Sequence, residues 1–116
     1  MKKIFHTDIH IVKTIDDPSS VYKILRGTKK ALVTYNQLMK HYEEGQKDIG
    51  AVLITPADDV LFLHLPLFCS HFGIDLYALP AGAERELSSI FGMKYVNIVS
   101  LFKDDEAYAR LKLLNI

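Results

Sequence analysis

The stretch that decides the fold runs Ala51-Val-Leu-Ile-Thr-Pro-Ala-Asp-Asp-Val60-Leu-Phe-Leu-His-Leu-Pro-Leu-Phe-Cys-Ser70-His-Phe-Gly-Ile-Asp-Leu-Tyr-Ala-Leu-Pro80. Two short apolar runs, Ala51–Thr55 and Ile74–Leu79, flank a longer one. Both short runs are rich in large or β-branched residues and show little polar alternation. That is the signature of strands covered on both faces. The segment Val60–Phe72 is long enough for a helix. Asp58 and Asp59 after Pro56 offer it an N-cap, and Pro66 lies inside it as a bend. Gly73 and Pro80 punctuate the ends. Strand, helix, strand is the predicted core unit.

The same reading extends outward. Asp17 predicts an N-cap with Pro18 at the first helical position, Val21, Ile24 and Leu25 form an apolar face, and Gly27 ends that helix. Ala31–Thr34 reads as a strand. Asn36 is placed to cap a second helix carrying Leu38, Met39 and Tyr42, which Gly45 stops. Past Pro80, Ala83–Phe91 reads as a helix stopped by Gly92, and Tyr95–Phe102 as the last strand. Asp104, Asp105 and Glu106 open a final helix, where carboxylates favour the positive end of the dipole. Residues 1–16 read as an arm or short strand, since Ile9, Ile11 and Ile15 share one parity that Val12 breaks. The expectation is one domain over residues 17–116. Its fold class is α/β, a three-layer α-β-α sandwich with a mixed four-stranded sheet.

Composition narrows the function. A chain of 116 residues with 49% hydrophobic and 24% charged residues is one ordinary globular domain. A single cysteine, Cys69, excludes an internal disulfide and fits a reducing compartment. No segment approaches the roughly 18 apolar residues of a membrane helix, and the N-terminus lacks the apolar stretch of a secretory signal. Net charge is zero, yet it is unevenly spread. From Pro18 to Tyr42 stand Lys23, Arg26, Lys29, Lys30 and Lys40 with no acid. From Asp48 to Ile90, Asp48, Asp58, Asp59, Asp75, Glu84 and Glu86 face only Arg85. In such a polar field the basic block is where phosphates would go, and a solvated helix face that is simply basic fits the charges equally.

Catalytic constellations are weak. Cys69 follows His64 by five residues and precedes His71 by two, spacings that do not stack side chains on a helix, so a buried structural cysteine is expected. His6, Asp8 and His10 alternate as metal ligands on a strand would, but without a second cluster they read as exposed polar residues. No glycine-rich phosphate loop follows any strand. No catalytic residue, metal or cofactor is expected.

The segment Thr34-Tyr35-Asn36-Gln37-Leu38-Met39-Lys40 carries the functional signal. Asn36 and Gln37 open a helix, and Lys40 lies one turn after Asn36 on the same side. Amides hydrogen-bond base edges and lysine reaches phosphate. The same residues also fit an N-cap with exposed polar neighbours.

From Val21 to Leu101 the chain resembles the kink-turn-binding ribosomal protein superfamily, whose signature is Gly-x-Asn-Glu-x-x-Lys followed by an acid and a glycine. That register falls on Thr34, Asn36, Gln37, Lys40, Glu43 and Gly45. His64-Leu65-Pro66-Leu67 with Cys69, then Pro80, Glu86-Leu87 and Gly92, continue it. Glu84-Arg85, Gly92-Met93-Lys94, Val96 and Phe102-Lys103 are most similar to the branch containing the protein subunit shared by eukaryotic ribonuclease P and MRP. The resemblance implies a non-catalytic RNA-binding subunit, nuclear or nucleolar, serving tRNA and rRNA precursor processing. Its partners would be a kinked, structured RNA and other protein subunits of one particle. Asn36 and Gln37 would read bases, Lys29, Lys30 and Lys40 would contact phosphates, and Met93 and Lys94 would lie against exposed bases, with Thr34 at the RNA-binding position where the backbone approaches the RNA. Ribosomal or H/ACA–C/D snoRNP membership, with a cytoplasmic location if ribosomal, is an alternative. So is a protein-interaction domain of the same fold. The chain departs from the signature at Thr34, where the family has glycine, and at Gln37, where it has glutamate. The loop after Gly92 is also short.

Overall fold

The computed structural model describes residues 12–28, 30–55 and 63–114, which form five strands and five helices in one mixed sheet. In chain order these are β1 Val12–Thr14, α1 Ser19–Arg26, β2 Ala31–Leu32, α2 Tyr35–Glu43, β3 Ile49–Ile54, α3 Leu65–Phe72, β4 Asp75–Ala78, α4 Ala83–Phe91, β5 Ile98–Phe102 and α5 Glu106–Leu113. The strand order is β1-β4-β3-β5-β2. The central β3 is buried along its whole length. It pairs parallel with β4 and antiparallel with β5.

The sheet has five strands where four were expected. The extra one is β1, which runs parallel to β4 at the edge with Val12 opposite Leu76 and Thr14 opposite Ala78. Ile15 follows it into the core and donates its N–H to the Ala78 carbonyl at 2.9 Å. The strand lies within the segment read as an arm or short strand, but with Lys13 and Thr14 exposed it has too little alternation to be counted as a strand of the sheet. The residue-16 boundary therefore falls beyond the first strand.

Alternate residues of the strands divide the core into two clusters, one on each face of the sheet. Ala51, Leu53, Val99 and Leu101 pack with Val21 and Leu25 of α1, Leu87 of α4 and Leu111 of α5. Val52, Ile54, Ile98 and Phe102 pack with Leu38 and Tyr42 of α2 and Leu65 and Cys69 of α3. The register slips between Ile49 and Ala51, leaving Gly50 as the extra residue of a bulge. A Cβ on Gly50 would lie 2.7 Å from Cζ of Tyr108 on α5, so this glycine is what lets the tyrosine ring seat on the central strand.

Several local expectations shift. Pro66 sits in the first turn of α3, where it needs no N–H, and not at an interior bend. The strand expected from Tyr95 starts at Ile98, and residues 95–97 belong to the preceding connection. Pro18 is the N-cap of α1, while Asp17 accepts from the Ser19 N–H at 3.1 Å. Asp105 caps α5 by accepting from the Ala107 N–H at 2.9 Å. Pro56, Asp58, Asp59 and the segment 60–62 lie outside the described residues, as do Ile9, Ile11, His6, Asp8, His10 and Lys29.

Candidate nucleic-acid interface

Strand pairing brings three connections to one end of the sheet. Ile54, the last residue of β3, faces Ile98, the first of β5, and the Thr55 N–H donates to the Asn97 carbonyl at 3.0 Å. Leu32 closes β2 opposite Ser100, so the chain leaves toward that end and enters α2. The start of α2 is joined to the start of α3. Tyr35 Oη lies 2.7 Å from His64 Nε2, with the rings nearly perpendicular. The opening of α2, the turn before α3 and the loop 92–97 therefore share one rim.

The helix start differs from expectation. Thr34, not Asn36, is the N-cap, and its hydroxyl accepts from the Gln37 N–H at 3.1 Å. Gln37 reaches back in turn, its Oε1 accepting from the Val33 N–H at 3.0 Å. This is close to a capping box, with glutamine in the third helical position. Two of the four signature residues thus build the helix start. Asn36 and Lys40 project exposed one turn apart, and among the described residues neither side chain has a hydrogen-bond or ion-pair partner.

The loop after α4 is short and tightly held. Gly92 takes the left-handed conformation, φ 64°, that ends α4 and turns the chain back. Ser88 then ties both ends of the next segment. Its carbonyl accepts from the Met93 N–H at 3.1 Å, and its hydroxyl accepts from the Val96 N–H at 2.9 Å while donating to the Glu84 carbonyl at 2.7 Å. Met93, Lys94 and Tyr95 form an exposed bump on this base, with Tyr95 58% exposed. Beside it an open groove of about 630 Å³ is lined by Gly82, Glu84, Arg85, Ser88, Lys94 and Tyr95. Arg26 and Arg110 are ion-paired to Glu86 and Glu106, but Arg85 has no such partner among the described residues.

Lys30 lies elsewhere. It precedes Ala31, which faces Leu101, and its ammonium sits 4.2 Å from the centre of the Phe102 ring at the far end of β5. The length of β5, about 13 Å, separates that ring from the start of the strand. Lys30 instead joins a cluster around the end of α2, where His41 Nε2 meets Asp48 Oδ1 at 2.6 Å and the His41 ring stands edge-on to Phe102. The hydrogen bond from His41 holds the Asp48 carboxyl below the usual range, against the effect of burial, with the His41 and Lys30 charges adding to it. Cys69 is wholly buried, and burial, with Asp75 nearby, pushes its thiol up to about 12. Such a thiol stays protonated and non-nucleophilic. Among the described residues no group of three or more His, Cys, Asp or Glu side chains could hold a metal ion, and no helix is long and apolar enough to cross a membrane.

No protein-family model matches the chain, and no curated protein matches its sequence. What the rim can do follows from its own chemistry. It presents cations at Lys40, Lys94 and Arg85, amides at Asn36 and Gln37, and an exposed aromatic at Tyr95. Those groups suit phosphates, base edges and base faces. Ser88 and Arg85 were not among the candidates read from sequence. Nothing in Leu87-Ser88-Ser89 marks Ser88, because its role depends on a loop that returns to it. Arg85 stands out in the sequence as the lone base of an acidic stretch, but only the return of loop 92–97 places it beside Lys94 and Tyr95.

Proposed function

We propose that this chain is a non-catalytic RNA-binding subunit of a ribonucleoprotein that recognises a kinked, folded RNA through the rim described above. The observation that carries the reading is the meeting of two elements at one end of the sheet. They are the exposed Asn36 and Lys40 on α2 and the Met93–Tyr95 bump pinned by Ser88. Asn36 reads a base edge, Lys40 and Lys94 neutralise phosphates, and Met93 and Tyr95 lie against exposed bases. The particle is of the ribonuclease P/MRP type, acting on tRNA and rRNA precursors in the nucleus or nucleolus, with other protein subunits bound to the remaining surface. This finer assignment rests on the sequence resemblance alone. Lys30 is left out of the phosphate contacts because it stacks on Phe102 at the far end of β5.

Titration of the protein against a kink-turn RNA and an unstructured RNA of equal length tests this. The kink-turn RNA is expected to bind more tightly, with log affinity falling linearly against log salt as counterions are released. Loss of that preference is expected in the Asn36→Ala/Lys40→Ala double variant. Equal binding of both RNAs, or an unchanged double variant, defeats the reading. A protein-interaction domain is the second reading. It is favoured by Leu63, 68% exposed, and Leu67, 47% exposed, at the start of α3. Salt-insensitive or absent RNA binding would support it.

A further inference from the structure

The groove beside α4 has walls of unlike chemistry. Glu84 and Ser88 stand one turn apart on α4, so they share a face of the helix and form one side of the groove, with Arg85 next to them. The loop that Ser88 holds through the Met93 and Val96 N–H groups brings Lys94 and Tyr95 to the other side. At about 630 Å³ the space falls in the range of small-molecule sites.

Glu84 is held from beneath. Thr55 is wholly buried, and its hydroxyl lies 3.1 Å from the Pro80 carbonyl and 3.3 Å from Glu84 Oε2, as donor to both. That contact occupies one of the roughly four acceptor positions of a carboxylate, so both oxygens keep capacity toward the groove. Arg85 and Lys94 are exposed, and among the described residues neither has an ion-pair partner.

A carboxylate, an aromatic face and two cations in one groove match a nucleotide whose base is rich in donors. Of the four common bases only guanine has two adjacent donors on its pairing edge, N1–H and the N2 amino group. A carboxylate accepts such a pair in parallel, as it does from arginine. Adenine, cytosine and uracil each set an acceptor beside their single donor, which would leave a lone pair facing the carboxylate.

We propose that this groove binds a guanine nucleotide. Glu84 accepts from N1 and N2, Tyr95 lies against the face of the base, and Arg85 and Lys94 meet the phosphate. The nucleotide is either free or an unpaired guanosine of an RNA. No residue of α2 takes part, so the site stands or falls apart from the kink-turn reading.

Titration of ¹⁵N-labelled protein with GMP, IMP and AMP tests this through the amide resonances of Arg85, Lys94 and Tyr95. GMP is expected to shift them and to bind about tenfold more tightly than AMP, the size of one bidentate base contact. IMP, which lacks only the N2 amino group, should bind more weakly than GMP. Glu84→Gln keeps an oxygen for the Thr55 hydroxyl, so the melting temperature should hold, but its amide has a single acceptor and the preference for GMP over AMP should vanish. Equal affinity for GMP and AMP, equal affinity for GMP and IMP, or a preference that survives Glu84→Gln would each overturn the assignment. The first two outcomes are read on the unaltered chain. Competition with a pentauridylate carrying a central guanosine separates the two sources. Tighter binding than GMP identifies an RNA guanosine, failure to displace GMP identifies the free nucleotide, and both uphold the guanine site. Equal displacement by the same oligonucleotide with a central adenosine overturns it. The Asn36→Ala/Lys40→Ala variant should keep its GMP preference whether or not it binds kink-turn RNA, and loss of the preference there would overturn the placement in this groove.

Discussion

Replacing Gly50 by alanine tests how α5 is held on the sheet. An added Cβ would stand 2.7 Å from Tyr108 Cζ and 2.8 Å from Cε1 and Cε2. Ordinary carbon contacts begin near 3.5 Å, so the ring would have to retreat by roughly 0.7 Å or more. The ring belongs to the packing around the first core cluster, and its hydroxyl lies 3.5 Å from Asp75 Oδ2. Overpacking of this kind costs about 1–3 kcal/mol. Against it stands a gain of about 0.5–1 kcal/mol from replacing a strand glycine. The net expectation is a loss of about 1–2 kcal/mol, or a melting temperature lower by roughly 5–10 °C in a domain of this size. Thermal unfolding followed by circular dichroism reads it directly. The decisive comparison is a double-mutant cycle with Tyr108→Ala, where the clash is gone and the alanine should become neutral or mildly stabilising. An equal loss from Gly50→Ala in both backgrounds would refute the reasoning, because the cost would then not involve the ring.

Ser88→Ala removes the acceptor for the Val96 N–H while leaving the carbonyl contact to Met93, so stability should fall by about 1–2 kcal/mol and RNA affinity with it. Amide exchange at Val96 and an RNA titration of the same variant check the two halves; unaltered binding would separate the loop from the interface. Asp48 is held ionised in the folded state, so its contribution is present above the unfolded carboxyl value of about 3.9 and is lost as pH falls through the lower folded value. Asp48→Asn should therefore melt below the unaltered chain near neutrality, and the gap should close as pH falls below about 4. A gap independent of pH across that range would show that the His41 contact is not its source. Ser100 is fully buried and its hydroxyl has no partner among the described residues, so Ser100→Ala should stabilise the fold by about 1 kcal/mol in denaturant titration.

Legibility in the sequence followed how local each determinant is. Ile49–Ile54 and Asp75–Ala78 could be read because burial on both faces selects apolar residues at every position. The alternation of helix and strand from residue 17 onward matches the structure for the same reason. The edge strand β1 falls within the arm or short strand read over residues 1–16, but with one partly covered residue in three its place in the sheet left no pattern. The helix cap was assigned to Asn36 when Thr34 and Asn36 are both good caps by type. Backbone dihedrals decide between them, and Thr34 is the residue in extended conformation before the first turn. Lys30 fell in a basic block that is contiguous in sequence but divided in space, since β2 is a strand and carries the chain from one end of the sheet toward the other. Ser88 was invisible because its partners, Met93 and Val96, reach it only after the turn at Gly92.

Thr34 bears on what a glycine at that position would do. Its φ of −134° and ψ of 152° are ordinary extended values open to any residue, so the turn into α2 does not itself demand glycine. Any advantage of glycine must lie in room for a ligand beside the backbone. Threonine gives up part of that room and gains a hydroxyl that holds the Gln37 N–H. Gln37 in turn reaches back to Val33, its Oε1 accepting from the Val33 N–H. Thr34 and Gln37 therefore act as one coupled feature of the helix start. Threonine and glutamine together build the helix start, while Asn36 projects from it with no side-chain partner among the described residues.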